Sequence, residues 1–241
     1  MGTYVFVHGS FHGGWCWEHV GPLLAGHGHR VRAPDLPGHG ADRTPQADIT
    51  YGMAVDRIRG VVEEASEPVL LVGHSMAGLL ISKVADLVPD RVRALVWIAG
   101  FLCPSGYSVS RYLQDNRGLG LSQVPLNAVP SADGSHAVFD VAKAGEVFYN
   151  TTPDDRAAAA VPRLGPAATV YTHTPVEWSP DRFGRVPRAY AMCLQDRCIP
   201  PAMQDKMIAD LPCRTVFRYD ADHSPFLSCP EALARDLLTL A

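Results

Sequence analysis

Long apolar runs, a surplus of basic residues and paired-cysteine spacing are all missing from this sequence, and no segment repeats another. No apolar stretch approaches the ~20 residues that a membrane-spanning helix needs. The formal net charge is −4 over 241 residues. With no basic block to offset it, neither nucleic acid nor an anionic membrane surface is an expected partner. The six cysteines (Cys16, Cys103, Cys193, Cys198, Cys213 and Cys229) include no C-x-x-C pair, which removes the usual zinc and dithiol redox spacings. The opening MGTYVFVHGS has no basic segment ahead of its apolar run, so it does not read as a secretion signal. It also carries Phe6 where a myristoylation signal needs Ser or Thr. Reduced thiols and a cytoplasmic location are the resulting expectation.

A chain of this length with 47% hydrophobic residues can bury one sizeable core. Short β-rich runs alternate with helical patterns. Strands are expected at Thr3 to Val7, His29 to Ala33, Pro68 to Val72 and Val92 to Ala99. Helices are expected at Trp17 to Ala25, Tyr51 to Ala65 and Met76 to Leu87. The run PVLLV at Pro68 to Val72 is wholly apolar, as in a strand buried on both faces. From Cys103 to about Arg185 the periodicity weakens, with short helices expected within Ala137 to Phe148 and Pro153 to Ala160. Alternation resumes at Pro187 to Met192, Pro201 to Ala209, Thr215 to Tyr219 and Glu231 to Leu240. This order implies an α/β fold, a mostly parallel sheet with helices on both faces. The expected organisation is a core of residues 1–102 and 186–241 interrupted by an inserted cap at 103–185. Such an interruption at strand C-termini is where ligands bind in open α/β sheets.

The segment Val69-Leu70-Leu71-Val72-Gly73-His74-Ser75-Met76-Ala77-Gly78 joins a buried strand to a helix with almost no loop. A tight turn there strains the serine backbone and lifts its hydroxyl above the sheet edge. Gly73 fits the G-x-S-x-G pattern, whereas Ala77 stands where a second Gly is common. The competing reading is a turn followed by an N-capping serine. A serine hydroxyl needs a general base, most often His. Of ten histidines, His223 is the best placed, in Arg218-Tyr219-Asp220-Ala221-Asp222-His223-Ser224-Pro225, after one strand and before the last helix. Asp196 follows the preceding strand in Gln195-Asp196-Arg197-Cys198-Ile199-Pro200 and can fix the tautomer of that base. Asp222 and Asp220 are poorer partners, because side chains so close in sequence to His223 diverge from it.

Acyl transfer passes through an oxyanion that backbone N–H groups stabilise. The expected donors are Met76, after the nucleophile, and Ser10, in the loop His8-Gly9-Ser10-Phe11-His12-Gly13-Gly14-Trp15. His8 and His12 are four apart but lie in a Gly-rich loop, with no third ligand evident, which argues against a metal pair. No cofactor is implied.

Together with Pro34-Asp35-Leu36-Pro37-Gly38-His39-Gly40, these segments resemble the plant methylesterase and hydroxynitrile lyase group of α/β-hydrolases and its bacterial esterase relatives. The resemblance covers nearly the whole core and is weakest in the cap. It implies an α/β-hydrolase fold, a triad of Ser75, Asp196 and His223, and oxyanion donors at Ser10 and Met76. Phe101 matches a pocket-wall aromatic of the group, although an ordinary core position would also suit it. The lyases carry Thr after the first His and Lys after the triad His. Gly9 and Ser224 stand at those positions here, which argues for a hydrolase. Caps of this group often mediate dimers, so the resemblance leaves a homodimer open.

The function expected is that of a serine carboxylic-ester hydrolase acting on a small or medium apolar ester as its partner. A C–C lyase, a cyclase or a thioesterase-like enzyme on the same scaffold is the alternative, and a ligand-binding receptor the third. The cap aromatics Tyr107, Tyr112, Phe139, Phe148, Tyr149, Tyr171 and Trp178 suit either an apolar pocket or a core of the cap's own.

Overall fold

The computed structural model describes all 241 residues. Its centre is a six-stranded sheet: β1 (Thr3–Val7), β2 (Arg30–Arg32), β3 (Val69–His74), β4 (Val92–Ile98), β8 (Arg188–Cys193) and β9 (Thr215–Tyr219). Three further strands, β5 (Ala128–Pro130), β6 (His136–Phe139) and β7 (Ala167–Ala168), form a separate antiparallel sheet. The main sheet has the order β2-β1-β3-β4-β8-β9, and every pairing in it is parallel. All six residues of β3 are buried, as the apolar run requires of a central strand covered by helices on both faces. The helices α1 (Val20–Gly26), α2 (Tyr51–Glu63) and α3 (Ala77–Leu87) return the chain between strands, and α1 packs on the C-terminal helix Pro230–Leu238.

From β1 the chain crosses to β2 on one side and then returns to β3 on the other. The chain therefore leaves β1 toward one edge of the sheet and β3 toward the other, and the carboxyl ends at such a switch point are the usual ligand position in open α/β sheets.

Two local expectations need correction. The span Trp17 to Ala25 is not one helix: a 3-10 turn at Gly14–Trp17 precedes α1. Pro22 has no N–H and fits only the first turn of a helix, so α1 has to start just before it. The span Ala137 to Phe148 begins as strand, because β6 occupies His136–Phe139, and only Ala144–Val147 is an α-helix. A turn at Ser131–Ser135 drives this pairing. Gly134 adopts φ +71° there, and Asp133 accepts hydrogen bonds from Ser131 Oγ and Ser135 N, which folds β6 back on β5. No helix is long and apolar enough to cross a membrane, and all six cysteines are unpaired.

Candidate active site

β3 ends at His74 and α3 starts at Ala77, so Ser75 and Met76 alone make the join. Ser75 takes φ +54°, a left-handed conformation that costs a non-glycine residue ~1–3 kcal/mol. Three backbone hydrogen bonds hold it there. Ser75 N donates to Ile98 O at 3.2 Å, and Ser75 O accepts from Gly78 N and Phe101 N, each at 3.0 Å. The crowding behind this turn falls on Gly78, where a Cβ would come within 2.5 Å of Phe101 O and 2.7 Å of Trp97 Cδ1. Ala77 is fully buried without such a conflict, so the departure from the G-x-S-x-G pattern leaves the turn intact.

The loop after β1 lies directly against this turn. A Cβ on Gly9 would stand 2.7 Å from His74 Nδ1 and 2.8 Å from Ser75 Cβ, so only glycine admits this approach. Phe11, two residues on, has φ +65°. The N–H groups of Ser10 and Met76 donate to no protein acceptor, and both residues border the same cavity as Ser75. Two unspent donors beside a strained serine hydroxyl suit an oxyanion.

His223 Nδ1 lies 2.8 Å from Asp196 Oδ2, with both side chains almost wholly excluded from solvent. A carboxylate only accepts, so the ring proton sits on Nδ1 and leaves Nε2 free to take a proton. The carboxylate itself is held firmly. Asp196 Oδ1 accepts from Cys198 N at 2.7 Å and Ile199 N at 2.9 Å, and Oδ2 accepts from Gln204 Nε2 at 3.0 Å. Asp222 turns away from the ring toward Thr151 and Thr152, and Asp220 accepts from Gln195. Neither competes for His223. The hydrogen bonds of His223 run to Asp196 and, through its carbonyl, to His74 Nε2 at 2.9 Å; none reaches Ser75. Base–nucleophile contacts of this kind often tighten only when substrate binds.

Three further histidines surround the site. Burial pushes the His12 pKa down to about 4, and those of His8 and His74 well below the usual value. All three are therefore neutral at pH 7, and no second imidazolium opposes a charge on His223. His8 and His12 are also occupied: His8 Nε2 accepts from Leu36 N, and His12 Nε2 faces the Tyr149 hydroxyl at 3.0 Å. They form no metal pair. The ligand atoms of Asp196, Cys198 and His223 do cluster within 4.8 Å. A cation there would have to break the Asp196–His223 bond and ionise Cys198, whose thiol burial pushes well above its ordinary pKa. The donor set suits proton handling better than a metal.

The cavity above these groups measures about 690 Å³. Ser10, Ser75, Met76, Phe101 and His223 border it, along with Leu113, Val124 and Ala168 from the segment between β4 and β8. No carboxylate lines it, and Arg117 is its one arginine or lysine. Of the seven aromatics noted in that segment, only Phe148 reaches the cavity. Tyr112, Phe139, Tyr149 and Tyr171 are buried elsewhere, packed against Phe101, Phe11, His12 and His39 of the main fold, so they seat the segment on the core. Sequence reasoning missed Gln204, which is fully buried on the helix Pro201–Asp210. Gln204, Asp205 and Lys206 all stand between Met203 and Met207, so no local signal singles out Gln204.

Comparison with known proteins places these features in a family. The model of the "Alpha/beta hydrolase family" matches residues 4–236. Methylesterase 7 of Arabidopsis thaliana is 32% identical over 99% of this chain and 95% of its own length. The pyrethroid hydrolase of Sphingobium wenxiniae is 30% identical over 98% of this chain and 86% of its own. Among solved structures, polyneuridine aldehyde esterase superposes with a TM-score of 0.90 at 22% identity, covering 100% of this chain and 99% of that one. A pyrethroid hydrolase from Sphingobium faniae superposes at 0.87 with 27% identity, covering 99% of this chain and 96% of that one. The parallel sheet, the strained serine turn and the matched sequence agree, and the chain belongs to the alpha/beta hydrolase family.

Proposed function

We propose that this protein is a serine carboxylic-ester hydrolase acting on apolar esters through Ser75, His223 and Asp196. In this reading His223 Nε2 takes the Ser75 proton as Oγ attacks the ester carbonyl. The oxyanion settles between the Ser10 and Met76 N–H groups, each donor worth ~3–4 kcal/mol in comparable sites. His223 then returns the proton to the departing alcohol. Water, activated by the same ring, releases the acid from the acyl-enzyme. Asp196 keeps the imidazole in the Nδ1–H tautomer and stabilises its charged form throughout.

One observation carries this reading: the strained Ser75 borders one cavity together with two unspent N–H donors and a histidine whose other nitrogen is held by a buried carboxylate. The names of the methylesterase and pyrethroid hydrolase relatives point the same way. The apolar wall without carboxylates favours a neutral, apolar ester, with Phe101 as part of the wall and residues 103–185 as the cap. None of the three lysines, Lys83, Lys143 and Lys206, borders the cavity. Ser224 is fully buried beside His223. No ammonium is therefore placed to meet a departing cyanide, which separates this site from the cyanohydrin lyases.

Ser75→Ala should abolish turnover of a p-nitrophenyl ester while the protein stays folded. Unchanged turnover would remove the serine from the mechanism. Hydrolysis in heavy-oxygen water should label the acid product; an unlabelled product would favour the lyase or cyclase alternative.

A further inference from the structure

Four consecutive residues of the segment between β4 and β8, Tyr149 to Thr152, reach all three loops that carry the proposed machinery. The Tyr149 hydroxyl lies 3.0 Å from His12 Nε2, and His12 Nδ1 lies 2.9 Å from Ser10 O. A carbonyl only accepts, so His12 donates from Nδ1 and accepts the tyrosine proton at Nε2. Burial keeps both groups neutral, as this arrangement needs. Tyr149 thereby holds the Ser10 loop through one imidazole. Asn150 Nδ2 donates to Gln195 O at 3.2 Å, one residue before Asp196.

The third contact is the densest. Thr151 N and Thr152 Oγ1 donate to Asp222 Oδ2 at 2.9 and 2.8 Å, while Asp222 N donates back to Thr151 Oγ1 at 2.9 Å. Asp222 Oδ1 accepts from Ser224 N at 3.0 Å. The Asp222 carboxylate is thus fully buried with hydrogen bonds and no cation to compensate it. A buried carboxylate without its donors costs several kcal/mol, so these contacts fix both the loop and the strap. They bracket His223 on its two sequence neighbours.

We propose that Tyr149–Thr152 is a positioning strap, which sets the geometry of His223 through Asp222 and of the Ser10 N–H through His12, so that the seating of the cap and the chemistry at Ser75 are coupled. This inference rests on the triad and oxyanion assignment above. Tyr149, Thr152, Asp222 and His12 touch no reacting atom in it and act only through the groups they hold. A misplacement of about 1 Å in such groups lowers rates by up to ~10²-fold.

The test compares steady-state kinetics of Thr152→Val, Thr152→Ser and Tyr149→Phe on one p-nitrophenyl ester, with melting temperature measured alongside and Ser75→Ala as the reference. Thr152→Val keeps the shape and removes the donor to Asp222; Thr152→Ser restores it. The expected result is a kcat loss of about 10- to 100-fold for Thr152→Val and Tyr149→Phe, KM within about threefold of the unaltered enzyme, and recovery of kcat in Thr152→Ser. A kcat within twofold of the unaltered enzyme in both variants overturns the strap. So does a loss that Thr152→Ser shares. Retained turnover in Ser75→Ala is a different failure, that of the triad assignment. Tyr149→Phe serves as the independent arm should Thr152→Val lose its fold.

Discussion

Replacing Asp196 with Asn tests the site at its most constrained point. The two side chains have the same shape, so packing is preserved and only the hydrogen-bonding character changes. Oδ1 of Asp196 accepts from Cys198 N and Ile199 N, which obliges the asparagine to keep its carbonyl oxygen there. Its NH₂ must then occupy the Oδ2 position, 2.8 Å from His223 Nδ1 and 3.0 Å from Gln204 Nε2. Gln204 cannot turn its amide to compensate, because its Oε1 accepts from Cys193 N and its Nε2 also donates to Ile199 O at 2.7 Å. The only relief is for His223 to present a bare Nδ1. That moves its proton to Nε2, where it can no longer accept from Ser75. Forcing the wrong tautomer in this way lowers triad turnover by ~10⁴, equivalent to ~5.4 kcal/mol of barrier. Stopped-flow or steady-state hydrolysis of a p-nitrophenyl ester measures this, with circular dichroism to show an unchanged fold. If Asp196→Asn stays within tenfold of the unaltered enzyme, Asp196 does not set the tautomer and the proposed mechanism fails.

Two other outcomes follow from the same geometry. Gly78→Ala forces a methyl against Phe101 O and Trp97 Cδ1, so a loss of about 1–3 kcal/mol in stability is expected from chemical denaturation, with a raised KM as Phe101 shifts; a neutral effect on both would show that the turn is not tightly packed. The buried neutral histidines predict acid sensitivity. Their folded pKa values lie below the unfolded value near 6.5, with His12 at about 4 and His8 and His74 also lowered by burial, so the unfolded chain binds more protons as pH falls. Their contribution is complete above about pH 6.5 and declines toward pH 4, by up to ~1.4 kcal/mol per pH unit for each histidine. Urea midpoints measured between pH 7 and 5 should fall steadily, and a flat profile would contradict the assignment.

Ser75, His223 and Asp196 were legible because each sits where a strand ends, and because a short apolar run such as VLLV, bounded by Pro68 and Gly73, reads as a strand buried on both faces. The Gly-rich loop and the order of the three residues were equally open to reading. Other features were not. Gln204 lies eight residues after Asp196, and nothing in its local pattern states that a helix will aim it back at a carboxylate. The pairing of β6 with β5 depended on a turn whose strength comes from Asp133 and Gly134, while the residues after it looked helical by propensity alone.

What the sequence determined by itself was the set of short-range commitments: strand, turn and helix at Ser75, the small residues that turn demands, and the chemical character of the groups beyond later strands. Those follow from backbone sterics and periodicity, which act over a few residues. The tertiary structure alone decided how the other two aspartates near His223 are spent, Asp220 on Gln195 and Asp222 on Thr151 and Thr152. It also decided that Tyr149 and Thr152 reach across from the segment between β4 and β8 to hold loops 70 or more residues away in sequence. Such choices depend on where separate elements come to rest against one another, and no local pattern encodes that distance.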